Sequence, residues 1–313
     1  MANTPQSIVR LVAEEGGERL DKFAAAALGD VSRAEIQRLV KAGEVLVNGR
    51  AERASYRLEP GDVVELALPQ RETPAIQPED VELEVLYEDA DLVAVNKPAG
   101  MVTHPAFGNL SGTLVNAALA RWPEMRDVGP ELARAGVVHR LDKDTSGVIV
   151  LARTPEALRA LQRQFRRRTV YKRYLALVEG VPGSPSGIIE APIGRDPKNR
   201  KRMSVVKGGR EAVSRYDVLE DLGSNALVAV EPGTGRTHQI RVHLAWLGNP
   251  IVGDRLYGYR KQRIGLKRLF LHAAELHVDS PSTGERLEFR APLPASLEDI
   301  LAKLRRNLPA GWQ

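Results

Sequence analysis

Two carboxylates stand two residues apart in the polar run Asp142-Lys143-Asp144-Thr145-Ser146-Gly147. The segment before it, Val137-Val138-His139-Arg140-Leu141, is apolar and β-branched at its start and predicts a strand. The segment after it, Val148-Ile149-Val150-Leu151, predicts a second, buried strand. A tight polar loop between two such strands lies at a sheet end, where carboxylates are costly unless they are paired or used. Spacing weakens two chemistries. A calcium loop begins D-x-D-x-S-G but needs a bidentate Glu at its twelfth position, and the twelfth residue from Asp142 is Arg153. A phosphohydrolase of the D-x-D-x-T kind wants Thr where Ser146 stands and an apolar residue where Gly147 stands.

Other groups offer themselves to the same loop. Arg140 precedes Asp142 by two, so an extended chain puts both on one face, and a simple ion pair is one reading. Tyr171 and Tyr174 lie in Tyr171-Lys172-Arg173-Tyr174-Leu175, read as the next strand. Tyrosine on a strand belongs to the core more often than to catalysis. The pairs His238/His243 and His272/His277 are each five apart, which suits a metal on neither strand nor helix. They read as structural, with His139 bonding to the loop. No metal is expected. The chain has no cysteine, which excludes thiolate chemistry, disulfides and zinc ribbons and suits a reducing cytosol.

These residues need a frame. At 313 residues with 43% hydrophobic content, the chain can build one large or two ordinary domains. No apolar run approaches a membrane span, and residues 1–14 lack the pattern of a signal peptide. Residues 1–16 read as a tail and 17–70 as a small unit. Within it, Ser32 to Glu35 is a capping box for a helix that buries Ile36, Leu39 and Val40 and stops near Gly43. Val45-Leu46-Val47 is a short strand, Asn48-Gly49 a tight turn, and Val63 to Leu66 a further strand after the turn Pro60-Gly61. Residues 71–80 form a linker, 81–304 a larger domain of strands and interposed helices, and 305–313 a tail. Thr154 caps a helix with Pro155 at its first position. Leu158, Leu161 and Phe165 make its apolar stripe, and Arg159, Arg163, Arg166 and Arg167 lie off it.

Charge is segregated. The chain carries a net +5, yet 159–173, 195–215 and 255–268 carry +7, +6 and +6, leaving −14 for the rest. An acidic body with three basic patches points to a polyanion partner. The stretch 195–210 reads as a hairpin or loop able to close over RNA.

GVVHRLDKDTSGVIVLART closely resembles the central motif of the pseudouridine synthases of the ribosomal and transfer RNA branch. The resemblance extends upstream to Leu86–Asp89, Asn96–Met101 and His104-Pro105, and downstream to Gly233–Gly258, so it runs over about residues 81–295 in order. GERLDKFAAAALGDVSRAEIQRLVKAGEVLVNGR resembles the S4 RNA-binding domain, whose basic or polar positions here are Lys22, Arg33, Arg38, Lys41, Asn48 and Arg50. The combination is most similar to the ribosomal large-subunit synthase D group. The implied fold is mixed α+β: a catalytic domain on a largely antiparallel sheet with flanking helices, plus a small N-terminal α/β S4-like domain.

The resemblance also implies roles. Asp142 is the carboxylate acting at C1′, either on developing oxocarbenium charge or by attack. It must be ionised, so a cationic neighbour is expected. Arg241 is that neighbour, while Arg236 faces phosphate. Tyr174, not Tyr171, stacks on the uracil, Leu271 is an apolar contact to the base, and Arg140 enters the RNA helix. Apart from the resemblance, the amphipathic pattern after Thr154 turns Arg163, Arg166 and Arg167 toward RNA. No cofactor is implied. The partner is large-subunit ribosomal RNA, free or in a pre-ribosomal particle, with the helix 69 hairpin favoured and transfer RNA left open. Two other classes stay in view: a non-catalytic S4-type assembly factor and an aspartate-dependent phosphohydrolase.

Overall fold

The structure is a computed structural model that describes residues 6–28, 31–69, 76–106, 109–199, 202–262 and 264–308. The chain divides into two compact units between residues 75 and 76. Part of the expected linker, 71–75, lies outside the described residues, as does residue 70.

The first unit contains strands β1 (Gln6–Val12), β2 (Val45–Val47), β3 (Arg50–Ala51) and β4 (Val63–Pro69), and helices α1 (Leu20–Leu28) and α2 (Arg33–Ala42). The sheet order is β1-β4-β2-β3. Local chemistry sets the pieces as expected. Ser32 caps α2 by accepting from the Glu35 N–H, and Gly43 ends it in the left-handed region. Asn48 and Gly49 both have positive φ, which the tight β2–β3 turn requires. Leu20, Ile36, Val45, Val64 and Leu66 form the core, and Val40 packs at its edge. Residues 6–12 correct the expectation of a tail: β1 pairs with β4 along its whole length. The strand was hidden because Ile8 and Val12 share the exposed face with Arg10, which blurs the usual alternation of polar and apolar residues.

The second unit carries β5 (Glu84–Glu88), β6 (Leu92–Lys97), β7 (Ser146–Ala152), β8 (Tyr171–Glu179), β9 (Ser186–Glu190), β10 (Ile193–Arg195), β11 (Met203–Val205), β12 (Val213–Asp221), β13 (Asn225–Pro232), β14 (Leu271–Asp279) and β15 (Arg286–Arg290). Its helices are α3 (Leu114–Arg121), α4 (Pro155–Arg167), α5 (Gln239–Trp246) and α6 (Ala295–Arg306). Among the described residues the main sheet has nine strands in the order β5-β6-β7-β14-β8-β13-β12-β9, with β15 beside β14; β10 and β11 pair as a separate hairpin. All the pairings are antiparallel except the short β7–β14 contact, which is parallel. One register row crosses five strands: Lys97, Gly147, Ala273, Tyr174 and Val230. Gly147 has φ +114°, and a Cβ there would run into the Ala273 carbonyl, so the closeness of β7 to β14 needs glycine.

Two apolar cores flank this row. One holds β6, β7 and α3 with Leu158 and Leu161 of α4. The other gathers β8 and β13 with α5 and α6. Tyr174 packs against both. Thr154 caps α4 as expected, accepting from the Ala157 N–H at 3.1 Å. Two expectations are corrected here. Val137–Leu141 is not a strand; it makes one bridge, Val137 to Leu151. The His139 ring takes its place on β7 by accepting the Val150 N–H at 3.0 Å, so a side chain replaces a backbone ladder. His139 therefore bonds to β7 rather than to the loop. At the other end α6 runs to Arg306, and Arg305 is paired with Glu220 at 2.6 Å, where a loose tail was expected from 305.

Candidate active site

Asp142 lies in the turn between the Val137–Leu141 segment and β7, closed by the Thr145 N–H donating to the Asp142 carbonyl at 3.1 Å. The turn is clamped from below by the segment after β6. Lys97 is fully buried, and its Nζ donates to the carbonyls of Pro98 and Met101 at 2.8 Å and of Lys143 at 3.3 Å. Gly100 N–H also donates to the Lys143 carbonyl at 2.8 Å. On the other side the Thr103 hydroxyl donates to the Leu141 carbonyl at 3.2 Å. Burial pushes the Lys97 ammonium down to about 7, against the pull of Asp144.

The carboxylate of Asp142 meets Arg241 from α5: Nη1 is 3.2 Å from Oδ2. Arg241 is aimed by a second, buried carboxylate. Its Nε and Nη2 donate to the two oxygens of Asp254 at 2.8 and 3.0 Å, the bidentate geometry that fixes a guanidinium plane. Asp254 in turn accepts the Leu256 and Tyr257 N–H groups at 2.9 and 3.0 Å. Burial opposes the charge on Arg241, yet Asp254 and Asp142 raise its pKa above the ordinary arginine value. Burial likewise opposes the charge on Asp254, and Arg241 outweighs it and lowers the pKa. The ring of Tyr257 lies 5.0 Å from the Arg241 guanidinium carbon.

This group opens into a cavity of about 610 Å³. Arg140, Asp142, Tyr174, Arg236, Arg241 and Leu271 all line it, as does Arg166 of α4. Residues as distant in sequence as Arg140 and Leu271 thus converge through the β7-β14-β8-β13 neighbourhood. Burial, then the charge of Asp142, raises the Tyr174 pKa, so the phenol keeps its proton at neutral pH. Tyr171 is occupied elsewhere, donating to Glu231 at 2.8 Å. Arg140 is exposed at the rim, and among the described residues it makes no ion pair with Asp142, so the simple pairing gives way to Arg241. Arg236 lines the cavity while its Nε donates to the Glu211 carbonyl at 2.9 Å. Arg163 and Arg167 are exposed on α4 outside the cavity.

In the first unit, Lys22, Lys41 and Arg50 are exposed. Arg33 is held 2.9 Å from the buried Asp21, and Arg38 2.6 Å from Glu35. The Asn48 amide spans its hairpin: Nδ2 donates to Asp62 at 2.8 Å and Oδ1 accepts the Val63 N–H at 3.0 Å.

Sequence reasoning missed Lys97, Asp254, His238 and Tyr257 as members of the site. Each stands inside a stretch that carried the resemblance. A charged residue among Gly, Pro and Val, as at Gly248-Asn249-Pro250-Ile251-Val252-Gly253-Asp254, was the available signal for Asp254. Among the described residues no three His, Cys, Asp or Glu side chains gather where they would hold a metal ion, and no helix is long and apolar enough to cross a membrane.

Comparison with known proteins bears on this arrangement. The profile of the RNA pseudouridylate synthase family matches residues 91–246, and that of the S4 domain residues 18–64. An uncharacterized RNA pseudouridine synthase of Bacillus subtilis is 44% identical over 294 residues, covering 94% of this chain and 96% of its own. The ribosomal large subunit pseudouridine synthase D of Pseudomonas aeruginosa is 39% identical over an alignment of 322 residues, 99% of each chain. Among solved structures, human RNA pseudouridylate synthase domain containing 1 matches with a TM-score of 0.56 at 29% identity, over 74% of this chain and 97% of that one. Near-full-length likeness at these identities settles the family: the chain belongs to the RNA pseudouridine synthases, isomerases of uridine in RNA, and carries an S4 RNA-binding domain ahead of its catalytic domain.

Proposed function

We infer that this synthase acts on large-subunit ribosomal RNA, with the helix 69 hairpin as its target, and that Asp142 is the reacting carboxylate. The observation that carries the site reading is the chain Asp142–Arg241–Asp254 at a cavity that also holds Tyr174. The RNA reading rests on likeness to the synthase D of Pseudomonas aeruginosa and on the basic segments of the sequence.

The target uridine is extruded into the cavity, at a cost of roughly a few kcal/mol in lost stacking. Arg140 at the rim fills the space it leaves, and α4 holds the flanking phosphates through Arg163, Arg166 and Arg167. The N1–C1′ bond breaks, the uracil turns, and C5 bonds to C1′; the C5 proton leaves and N1 gains one. Nothing is oxidised and no atom is lost, so the reaction needs no cofactor. Asp142 stabilises positive charge at C1′ or attacks it. Arg241 keeps that carboxylate ionised and aimed. Tyr174 stacks on the base, and Leu271 contacts it. The S4 domain supplies further grip through Lys22, Arg33, Arg38, Lys41, Asn48 and Arg50. A cytoplasmic role in ribosome biogenesis follows from this substrate.

The test is a pseudouridine map of ribosomal and transfer RNA from a strain lacking the protein, with and without complementation. Loss of large-subunit sites that returns on complementation is expected. An unchanged ribosomal pattern with altered transfer RNA would overturn the substrate assignment.

A further inference from the structure

His238 is the residue before α5, and three features of it have no place in the reading above. First, it adopts a left-handed backbone, φ 57° and ψ 21°, which is unfavourable for a residue with a Cβ. Its side chain does not cap the helix, so capping does not compensate for the strain. Second, its ring joins a hydrogen-bonded chain. The Met203 N–H of the β10–β11 hairpin donates to the Tyr257 hydroxyl at 3.0 Å, and that hydroxyl lies 2.9 Å from His238 Nδ1. Third, the opposite ring nitrogen, Nε2, faces Asp142 Oδ2 at 3.9 Å.

The chain and the facing carboxylate together favour one place for the ring proton. An amide N–H can only donate, so Tyr257 accepts from Met203 and keeps its own proton and a second lone pair for His238. With the imidazole proton on Nε2, Nδ1 accepts the phenol proton and the Nε2–H faces the Asp142 carboxylate. The reverse tautomer would leave the phenol proton without this acceptor and turn a bare lone pair toward a carboxylate. Burial lowers the His238 pKa, which keeps the ring neutral and the tautomer meaningful. At 3.9 Å the Nε2–H is not yet hydrogen-bonded. Arg241 approaches the same oxygen, Oδ2, and among the described residues no hydrogen bond reaches Oδ1.

We propose that His238 is a positioning residue for Asp142: its Nε2–H, oriented by Tyr257 and the Met203 amide, closes on Oδ2 when RNA is bound and leaves Oδ1 free for C1′. This rests on Asp142 being the reacting carboxylate. The strained backbone is then the conformation that aims the ring. The same ring ties the β10–β11 hairpin, at Met203, to the carboxylate through two side chains.

Substitutions at 238 separate aiming from backbone shape. Asn tolerates the left-handed region better than Gln, but Gln places an amide nitrogen where Nε2 was. With saturating enzyme and RNA carrying 5-tritiated uridine, His238→Gln should lose about tenfold in single-turnover rate, and His238→Asn and His238→Ala roughly a hundredfold, the scale of a misaimed reacting group. RNA affinity should change less than about twofold on either side. Tyr257→Phe keeps the ring over Arg241 and should also lose about tenfold. A long-range proton–nitrogen spectrum of protein labelled at its six histidines, with His238 assigned by its loss in His238→Ala, reads the tautomer without any turnover. Nε2–H is expected in the wild type, with a mixture in Tyr257→Phe. Should His238→Asn turn over as fast as His238→Gln, or should the wild-type ring carry its proton on Nδ1, the proposal is overturned. Full activity of Asp142→Asn would instead remove the reading on which it rests.

Discussion

Asp142 and Asp144 are two residues apart and meet different surroundings: Asp142 is half-buried beside Arg241, and Asp144 is exposed. Asp142→Asn keeps the size of the side chain and removes its charge. It should abolish tritium release from 5-tritiated uridine while shifting RNA affinity by less than about 1.4 kcal/mol, a factor of ten. Asp144→Asn should retain substantial turnover. The reverse ranking would show that the reacting carboxylate has been misassigned. Lys97 yields a prediction on pH. Buried under the loop, it loses its proton near pH 7 in the folded chain, whereas the unfolded chain holds it to about 10.5. The unfolded state therefore binds more protons across that window, and stability from this residue rises with pH through it. It is complete above the unfolded value and lost as pH falls through 7. The stability difference between the wild type and Lys97→Met, measured by urea denaturation, should move toward the wild type by up to about 1.4 kcal/mol per pH unit between pH 7 and 9. A difference flat in pH would mean that the ammonium keeps its charge in the fold.

At the scale of elements, α4 packs on β7 and brings Arg166 to the cavity that Asp142 also lines. Helix α4 buries Leu158 and Leu161 and leaves Arg159, Arg163, Arg166 and Arg167 exposed. Arg159 is paired with Glu156, but among the described residues Arg163, Arg166 and Arg167 have no acidic partner. Neutralising those three together should weaken RNA binding and flatten its salt dependence, each lost phosphate contact reducing the log–log slope by about 0.7 to 0.9. An unchanged slope in filter-binding titrations across salt would leave them a solvated face. Strand β7 was legible because all of its side chains are buried and several are β-branched. The segment before it was misjudged for the same reason: Val137-Val138 has strand composition, but only the fold shows that the His139 ring takes the Val150 N–H.

For the whole molecule, each compact unit has its own apolar core. Removing residues 1–75 should leave a folded catalytic unit that isomerises uridine with weaker affinity or relaxed site choice. A truncated protein that modifies the same uridines at the same rate would deny the S4 domain its gripping role. Activity should also survive chelation by EDTA on RNA that stays folded, since the reaction moves a base without hydrolysis. Restoration of a lost activity by catalytic zinc or magnesium would reverse that view. The charge distribution bears on both: three basic segments on an otherwise acidic chain concentrate its affinity for polyanions.

What the chain determines by itself is local. The Ser32 and Thr154 caps, the Asn48-Gly49 turn and the buried β7 each depend on interactions within a few residues, and their signals stand in the sequence. Asp142 and Arg241 were expected to meet because their motifs run in the family's order, and the structure brings them to 3.2 Å. Only the tertiary structure decided what holds them. Lys97 reaches the Lys143 carbonyl across 46 positions, and Arg241 reaches Asp142 across 99. Asp254 and Tyr257 are closer in sequence to Arg241, but a loop of Gly, Pro and Val carries no periodicity from which their direction could be read. Such contacts follow from the order β6-β7-β14-β8-β13, in which chain neighbours are separated and distant strands adjoin. Local propensity has no term for that order; it is set by which apolar faces can be buried together.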